Sequence, residues 1–239
     1  MTDDQTPTTR CGYVAILGRP NVGKSTLLNR LIGQKISITS HKRQTTRHQI
    51  LGVQTVSNCQ CIYVDTPGIH QNASNAMGRY LNRAATDVIH GVDVIIWVIE
   101  AGVMTDEDRQ VQKYLQDVTC PMIVAINKVD QAKDKTALLP FIEKIATDEK
   151  FTHCIPISAR TGDQLPALVT QVSECLPQRP FIFGEDDLTD RSMRFLVSEI
   201  IREKLTRHLD QELPYHTSVE IDLFEEDAAK PLTRIRACL

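Results

Sequence analysis

The chain has 239 residues, 41% of them hydrophobic, enough for one domain of about 150 to 200 residues and a smaller second unit. With 27 basic and 30 acidic residues the net charge is −3, so the chain as a whole is no electrostatic magnet for nucleic acid or anionic membrane. Residues 1–178 carry 18 basic against 17 acidic side chains and residues 179–239 carry 9 against 13, so neither part announces a polyanion partner by charge alone.

The opening text MTDDQTPTTR is polar and acidic and lacks the apolar core of a secretion signal, so a flexible leader is expected over residues 1–11. No apolar run approaches 18 residues, and no membrane-spanning helix is expected. Seven cysteines stand at 11, 59, 61, 120, 154, 175 and 238, without zinc spacing, and are expected to be reduced in a cytoplasmic compartment.

A β-rich run at Tyr13–Leu17 leads into GRPNVGKS, Gly18 to Ser25, a full match to G-x-x-x-x-G-K-[ST], followed by the helical text TLLNRLIG. Strand, loop and helix are the context that this phosphate-binding pattern requires. Glycines at both ends let the backbone curl around phosphates, with the positive end of the next helix behind them. Gly18, Arg19, Pro20, Asn21, Val22, Gly23, Lys24, Ser25 and Thr26 are therefore expected to line a nucleotide. Lys24 bridges its β- and γ-phosphates and the Ser25 hydroxyl binds Mg2+.

The next segment, KISITSHKRQTTRHQI over 35–50, is rich in hydroxyls and positive charge. A switch segment needs a hydroxyl to complete the Mg2+ shell when the γ-phosphate is bound; Thr45 or Thr46 is suitably placed, and Thr46 is taken as the ligand. A solvated loop with a basic face is the alternative reading of its lysines and arginines.

Two runs, Ile50–Val56 and Gln60–Val64, are separated only by Ser57, Asn58 and Cys59, which predicts a hairpin and one antiparallel edge strand. Cys59 and Cys61 fall on one face of that strand, too close in sequence for an ordinary structural bridge. At its end stands DTPG, Asp65 to Gly68, about forty residues after the phosphate loop. Asp65 can hold Mg2+ through its water shell and the Gly68 N–H can contact the γ-phosphate, with Thr66 and Pro67 between them in the same nucleotide-sensing loop.

Val94–Ile99, with Trp97 as a core residue, and Met122–Ile126 continue the series. The second leads into NKVD, Asn127 to Asp130. Guanine offers donors at N1 and N2 that one carboxylate accepts together, whereas adenine would leave a buried Asp130 unmatched, so Asp130 selects GTP over ATP. Asn127 meets the purine N7 and ties this loop to the phosphate loop, while the Lys128 stem packs over the ring. After Cys154–Ile157, Ser158 and Ala159 complete the base pocket with a backbone N–H toward the guanine oxygen. Strands alternating with helical text predict an α/β P-loop domain over 12–176, with a six-stranded, mostly parallel sheet.

Residues 177–190, PQRPFIFGEDDLTD, have no sustained period and read as a linker. Asp190 signals a helix with an apolar stripe through Met193, Leu196, Val197, Ile200, Ile201 and Leu205. TSVEIDLF at 217–224 alternates as a strand, and 232–239 starts another. One helix and two strands make too small a core for a finished domain, so residues 191–239 are expected to be part of a larger one.

The order of phosphate loop, switch threonine, DxxG, NKxD and SA resembles the translation-factor class of GTPases. More narrowly, GRPNVGKSTLLNRLIGQKISITSHKRQTTRHQILGV, DTPGIH and DRSMRFLVSEIIREKLTRHLDQELPY resemble the Era family of Ras-like GTPases, over about residues 12–224. The resemblance implies GTP hydrolysis in aid of small ribosomal subunit assembly and ribosomal RNA maturation. It also implies an RNA-binding KH domain downstream of the linker and a peripheral association with the inner membrane. No DNA partner is implied. A KH domain clamps nucleic acid with a Gly-x-x-Gly loop, and none occurs between Arg179 and Leu239, so residues 191–224 supply only its opening helix and strand.

Ras-type switches carry a water-orienting glutamine where this chain has Ile69, which neither donates nor accepts a hydrogen bond. The resemblance places the chain among GTPases with a hydrophobic residue there, whose water is aligned by switch backbone or a partner, and slow turnover is expected from Lys24, Thr46 and Gly68 alone. Relatives with asparagine at the position of Asn21 use K+ near the β- and γ-phosphates; a purely structural role in the loop turn is the other reading of Asn21. Two other functions stay open: a GTPase of the same class serving tRNA or another ribosomal client, and a nucleotide-gated binding module with incidental hydrolysis. His41, His48 and His70 lie in or near the switches and are read as non-catalytic.

Overall fold

The computed structural model describes residues 9–39, 50–66, 89, 91–132, 134, 136–208, 217–227 and 232–239. Along the chain run β1 (Arg10–Leu17), α1 (Lys24–Ile32), β2 (Ile50–Val56), β3 (Cys59–Asp65) and β4 (Val94–Glu100). Next come α2 (Asp106–Tyr114), β5 (Met122–Asn127), α3 (Leu139–Ala146), β6 (His153–Pro156) and α4 (Leu165–Cys175). They are followed by α5 (Met193–His208), β7 (Glu220–Asp227) and β8 (Leu232–Cys238). The first six strands form one sheet in the order β2-β3-β1-β4-β5-β6. All neighbours are parallel except β2 and β3, the predicted hairpin, which pair antiparallel from Ile50↔Asp65 to Val56↔Cys59.

The near-continuous apolar text of β1, β4 and β5 follows from burial on both sheet faces. Alternation then sends Ile16, Ile96 and Val98 toward one face, against Leu27 and Leu28 of α1 and Leu168 and Val172 of α4. Leu17, Ile95, Trp97 and Ile99 go to the other, against Val111 of α2 and Ile145 of α3. Trp97 is fully buried, as expected, and tilts against Phe151 with ring centroids 5.4 Å apart. All seven cysteines are free thiols. No helix among the described residues is long and apolar enough to cross a membrane.

Three local readings differ from the structure. Arg10 and Cys11, counted within the leader, already belong to β1. The 177–190 segment is more than a spacer, because Gln60, fully buried, accepts from the Ile182 and Phe183 N–H groups (2.9 and 3.0 Å) and donates to the Phe183 carbonyl (2.9 Å). The Val53 N–H donates to the Leu188 carbonyl, and Arg179 pairs with Asp93 at 2.5 Å, so the segment is stapled along the sheet. A polar side chain inside β3 meets the backbone needs of an aperiodic stretch.

The third concerns α5. Its apolar stripe is only partly covered, with Met193 and Ile200 exposed, whereas Glu199, Arg202, Glu203 and Thr206 are buried. Phe195 and Leu196 reach the edge of the first core. The polar face closes on itself through a two-pronged Arg202–Glu199 pair, both bonds 2.8 Å. Charges are tolerated there because each has a partner of opposite sign. Beyond it β7 and β8 form a separate antiparallel ribbon.

Candidate nucleotide site

Four parallel strands end on one edge of the sheet, and the loops that follow them carry the motifs: Gly18 after β1, Thr66 after β3, Lys128 after β5 and Ser158 after β6. In open α/β sheets that carboxyl edge is where ligands bind.

The phosphate loop needs unusual backbone angles. Gly18 and Gly23 have φ of 153° and 108°; a β-carbon at Gly18 would sit 2.5 Å from the Val98 carbonyl oxygen, and one at Gly23 2.3 Å from Asn127 Nδ2. Asn21 takes the left-handed region with φ 61°, which asparagine tolerates better than most residues. α1 begins directly afterwards with no acidic residue in its own first turn, so its positive dipole end lies behind the loop. The Lys24 ammonium donates to the carbonyls of Gly18 (2.9 Å) and Arg19 (3.0 Å). Burial lowers its pKa to about 8, against the favourable charge of Asp65.

At the end of β3, the buried Asp65 accepts from Ser25 Oγ at 3.0 Å and from Ser37 Oγ at 2.7 Å. Hydroxyl and carboxylate oxygens side by side are hard donors of the kind Mg2+ takes, so Ser25 and Asp65 fit that ion. Ser37 was missed by sequence reasoning, which looked to the threonines further on in the same segment. Thr66 turns inward and donates to the Ile16 carbonyl at 3.0 Å, tying the start of its loop to β1. Thr45, Thr46, Pro67, Gly68, Ile69, His41, His48 and His70 lie outside the described residues.

Asn127 is the fastener of the base side. Its Nδ2 donates to the Val22 carbonyl at 2.8 Å and its Oδ1 accepts from the Ala159 N–H at 2.9 Å, so one amide joins the phosphate, NKVD and SA loops. The Ala159 N–H thus anchors Asn127. Lys128 has φ 68°, a left-handed turn, and its ammonium reaches Glu100 at the end of β4. Asp130 accepts from Ser158 Oγ at 2.6 Å and pairs with Arg160 at 2.5 Å. The Ser158 hydrogen bond, and after it the Arg160 charge, hold the Asp130 carboxyl below its ordinary pKa. Ser158 was expected merely to complete the pocket, and Arg160 carried no signal in a single sequence.

The family model described as a 50S ribosome-binding GTPase matches residues 13–128. The chain is 49% identical over 227 residues to GTPase Era of Ectopseudomonas mendocina, covering 95% of this chain and 75% of that protein. Among solved structures it resembles Era in complex with MgGDPNP and nucleotides 1506–1542 of 16S ribosomal RNA, with a TM-score of 0.88 and 37% identity over 96% of this chain and 78% of the other. An Aquifex aeolicus Era variant bound to GDP·AlF4− is similar to the same degree, with TM-score 0.88, 37% identity and the same coverage of both chains. The glycine-rich loop, the aspartate beside its serine and the loop tied by Asn127 stand at one edge of the sheet, and 95% of the chain aligns with a relative at 49% identity: the chain belongs to the GTPase Era family.

Proposed function

We propose that this GTPase is a slow switch that assists small ribosomal subunit assembly and ribosomal RNA maturation. The observation that carries the reading is the Asn127 clasp, which joins the loop of Lys24 at Val22 to the loop of Ser158 and Ala159. Gly18 to Thr26 wrap the phosphates, Asp65 to Gly68 sense the terminal one, and Asn127, Lys128, Asp130, Ser158 and Ala159 form the guanine pocket. Lys24 stabilises charge on the β- and γ-phosphates, Gly68 donates its N–H to the γ-phosphate, and Thr46 reports its presence to residues 35–50.

Ser25, Asp65 and Thr46 would hold Mg2+, which would supply positive charge against the phosphates. The solved relative whose name records MgGDPNP supports that ion. Asn21 is a ligand of K+ in this reading, its backbone already turned left-handed at the phosphate end of the loop. Water is aligned by switch backbone or by a partner, since Ile69 cannot do so.

Residues 177–190 join the GTPase domain, residues 12–176, to the opening part of a KH-type unit, residues 191–239. The partner is 16S ribosomal RNA of the small subunit, a reading supported by the relative solved with nucleotides 1506–1542. RNA contact is assigned to the completed KH unit, because residues 179–239 carry 9 basic against 13 acidic side chains. The protein works in the cytoplasm with peripheral contact to the inner membrane, as the family resemblance implies.

The test is a binding titration with GTP, GDP and ATP, followed by turnover with and without small ribosomal subunits. Guanine nucleotides are expected to bind and ATP to fail, with turnover changed by the subunit. Equal binding of ATP, or turnover indifferent to the subunit, would sink the reading.

A further inference from the structure

One carboxylate joins the two sides of the pocket. Glu100 ends β4, beside Asn127 in the sheet register, and the backbone following it is tied to the same strand end by the Ala101 N–H, which donates to the Asn127 carbonyl at 2.9 Å. Its Oε2 accepts from Arg19 Nη2 of the phosphate loop at 2.5 Å and from Lys128 Nζ of the base loop at 2.9 Å. On its other edge the Arg19 guanidinium donates Nε to Asp108 Oδ2 at 3.2 Å. Asp108 is wholly buried and belongs to the capping box of α2, where the same oxygen accepts from the Thr105 N–H (3.0 Å) and hydroxyl (2.8 Å). Arg19 is thus held from both sides on rigid elements. Its own carbonyl is one of the two that hold Lys24.

The left-handed backbone of Lys128 turns its side chain toward β4, and Glu100 takes the ammonium end. With the charged end fixed, fewer courses are open to the four-carbon stem, which preorganises the lysine beside the proposed base pocket. Burial raises the Glu100 carboxyl, but the Lys128 and Arg19 hydrogen bonds and charges outweigh it, and the group stays ionised below the usual carboxylate range.

We propose that Glu100 is a positioning residue for the bound nucleotide: by sharing one oxygen between Arg19 and Lys128 it sets the spacing of the phosphate loop and the base-stacking lysine. Asp108 supports it by fixing Arg19 on α2. This role rests on the guanine-nucleotide pocket proposed above. It also accounts for two charged side chains that nucleotide chemistry alone leaves idle, the Arg19 guanidinium and the Lys128 ammonium.

Glu100→Gln, which keeps the shape and removes the charge, tests it in the whole chain by fluorescent-GDP titration, steady-state GTP turnover and thermal melting. The expected result is a rise of about three- to tenfold in Kd for GDP, the effect of loosening partly exposed charged hydrogen bonds. KM for GTP rises by the same factor with kcat changed less than twofold, because positioning of this kind is felt equally before and in the transition state. In double-mutant cycles with Lys128→Met and Arg19→Met the losses are smaller than the product of the single effects. A merely structural role would lower the melting temperature and leave the Kd of the folded protein within twofold of the parent, overturning the proposal. Losses that multiply independently would overturn it too. A parent chain that binds no GDP overturns the pocket itself, whereas a parent that binds and a Glu100→Gln variant that matches it removes only the role of Glu100.

Discussion

Glu203 of α5, excluded from solvent, pairs at 2.5 Å with Lys35, which lies just after α1 and opens the proposed switch segment. Arg207, one helical turn on, pairs with the same carboxylate and donates to the Thr39 carbonyl at 2.9 Å. The second unit therefore grips residues 35–39 through a buried acid. Replacing Glu203 by Ala leaves both cations without their counter-ion and opens a void. A loss of about 1 to 3 kcal/mol is expected, below the range for fully buried pairs because both cations are roughly half exposed. Lys35→Met, which leaves Arg207 in place, is expected to cost less. Chemical denaturation of the two variants checks the order, and equal losses would show that Lys35 carries the contact alone.

Gly23→Ala is expected to abolish tight nucleotide binding. The added methyl group meets Asn127 Nδ2 at 2.3 Å at a φ of 108°, so either the loop or the Asn127–Val22 hydrogen bond must give way. Binding of GDP weakened more than tenfold, in a chain whose far-ultraviolet dichroism is unchanged, is the outcome sought.

Asp130→Asn is expected to exchange guanine for xanthine preference, because xanthine puts a carbonyl where guanine has its 2-amino group and an amide can donate to it. The pH dependence follows from the Ser158 hydrogen bond. A depressed carboxyl contributes stability above its unfolded value, near 3.8, and loses it only as pH falls through the lower folded value. GDP affinity should therefore be level from pH 8 to about 5 as far as Asp130 is concerned. Ser158→Ala should move the acid loss upward, as a titration series would reveal.

Cys59 and Cys61 hold their sulfurs 3.9 Å apart on one face of β3. The hydrogen bond between the two thiols lowers the pKa of Cys59 and, together with burial, raises that of Cys61. Cys59 is half-buried and Cys61 buried, so Cys59 should be the first of the pair alkylated by iodoacetamide at pH 7. Cys61→Ala should slow that reaction severalfold; a rate that does not respond would show that the hydrogen bond has no influence on the thiolate.

Turnover should be higher in K+ than in Na+ if Asn21 holds the ion, and equal rates would take it out of the mechanism. Ile69→Ala should leave hydrolysis within a few-fold of the parent, since the side chain has no hydrogen-bonding group to lose. Collapse of turnover with intact GDP binding would instead give Ile69 a role in the chemistry.

The motif loops were legible because their parts are local. Each motif combines a strand end with the few residues after it, and a glycine, lysine or aspartate at fixed spacing states its own requirement. The Asn127 link to the phosphate loop was also foreseen, since an NKxD asparagine has an amide to satisfy on both sides. Other partners distant in sequence were not. Glu100 and Asp108 reach Arg19 from 81 and 89 residues away, Ser37 reaches Asp65 from 28, and Gln60 reaches Phe183 from 123. Nothing in a strand-terminal glutamate or an interior glutamine announces such a contact in one sequence.

Periodicity acts over a few residues, and so the sheet, its antiparallel edge and the order of the motifs could be read from the chain alone. Only the tertiary structure decided which face of α5 is buried and what Ala159 and Ser158 hold. It also decided how Arg19 and Lys128 come to share Glu100. Burial of a charge depends on whether an opposite charge arrives through space, and the spacing of residues along a chain carries no information about that.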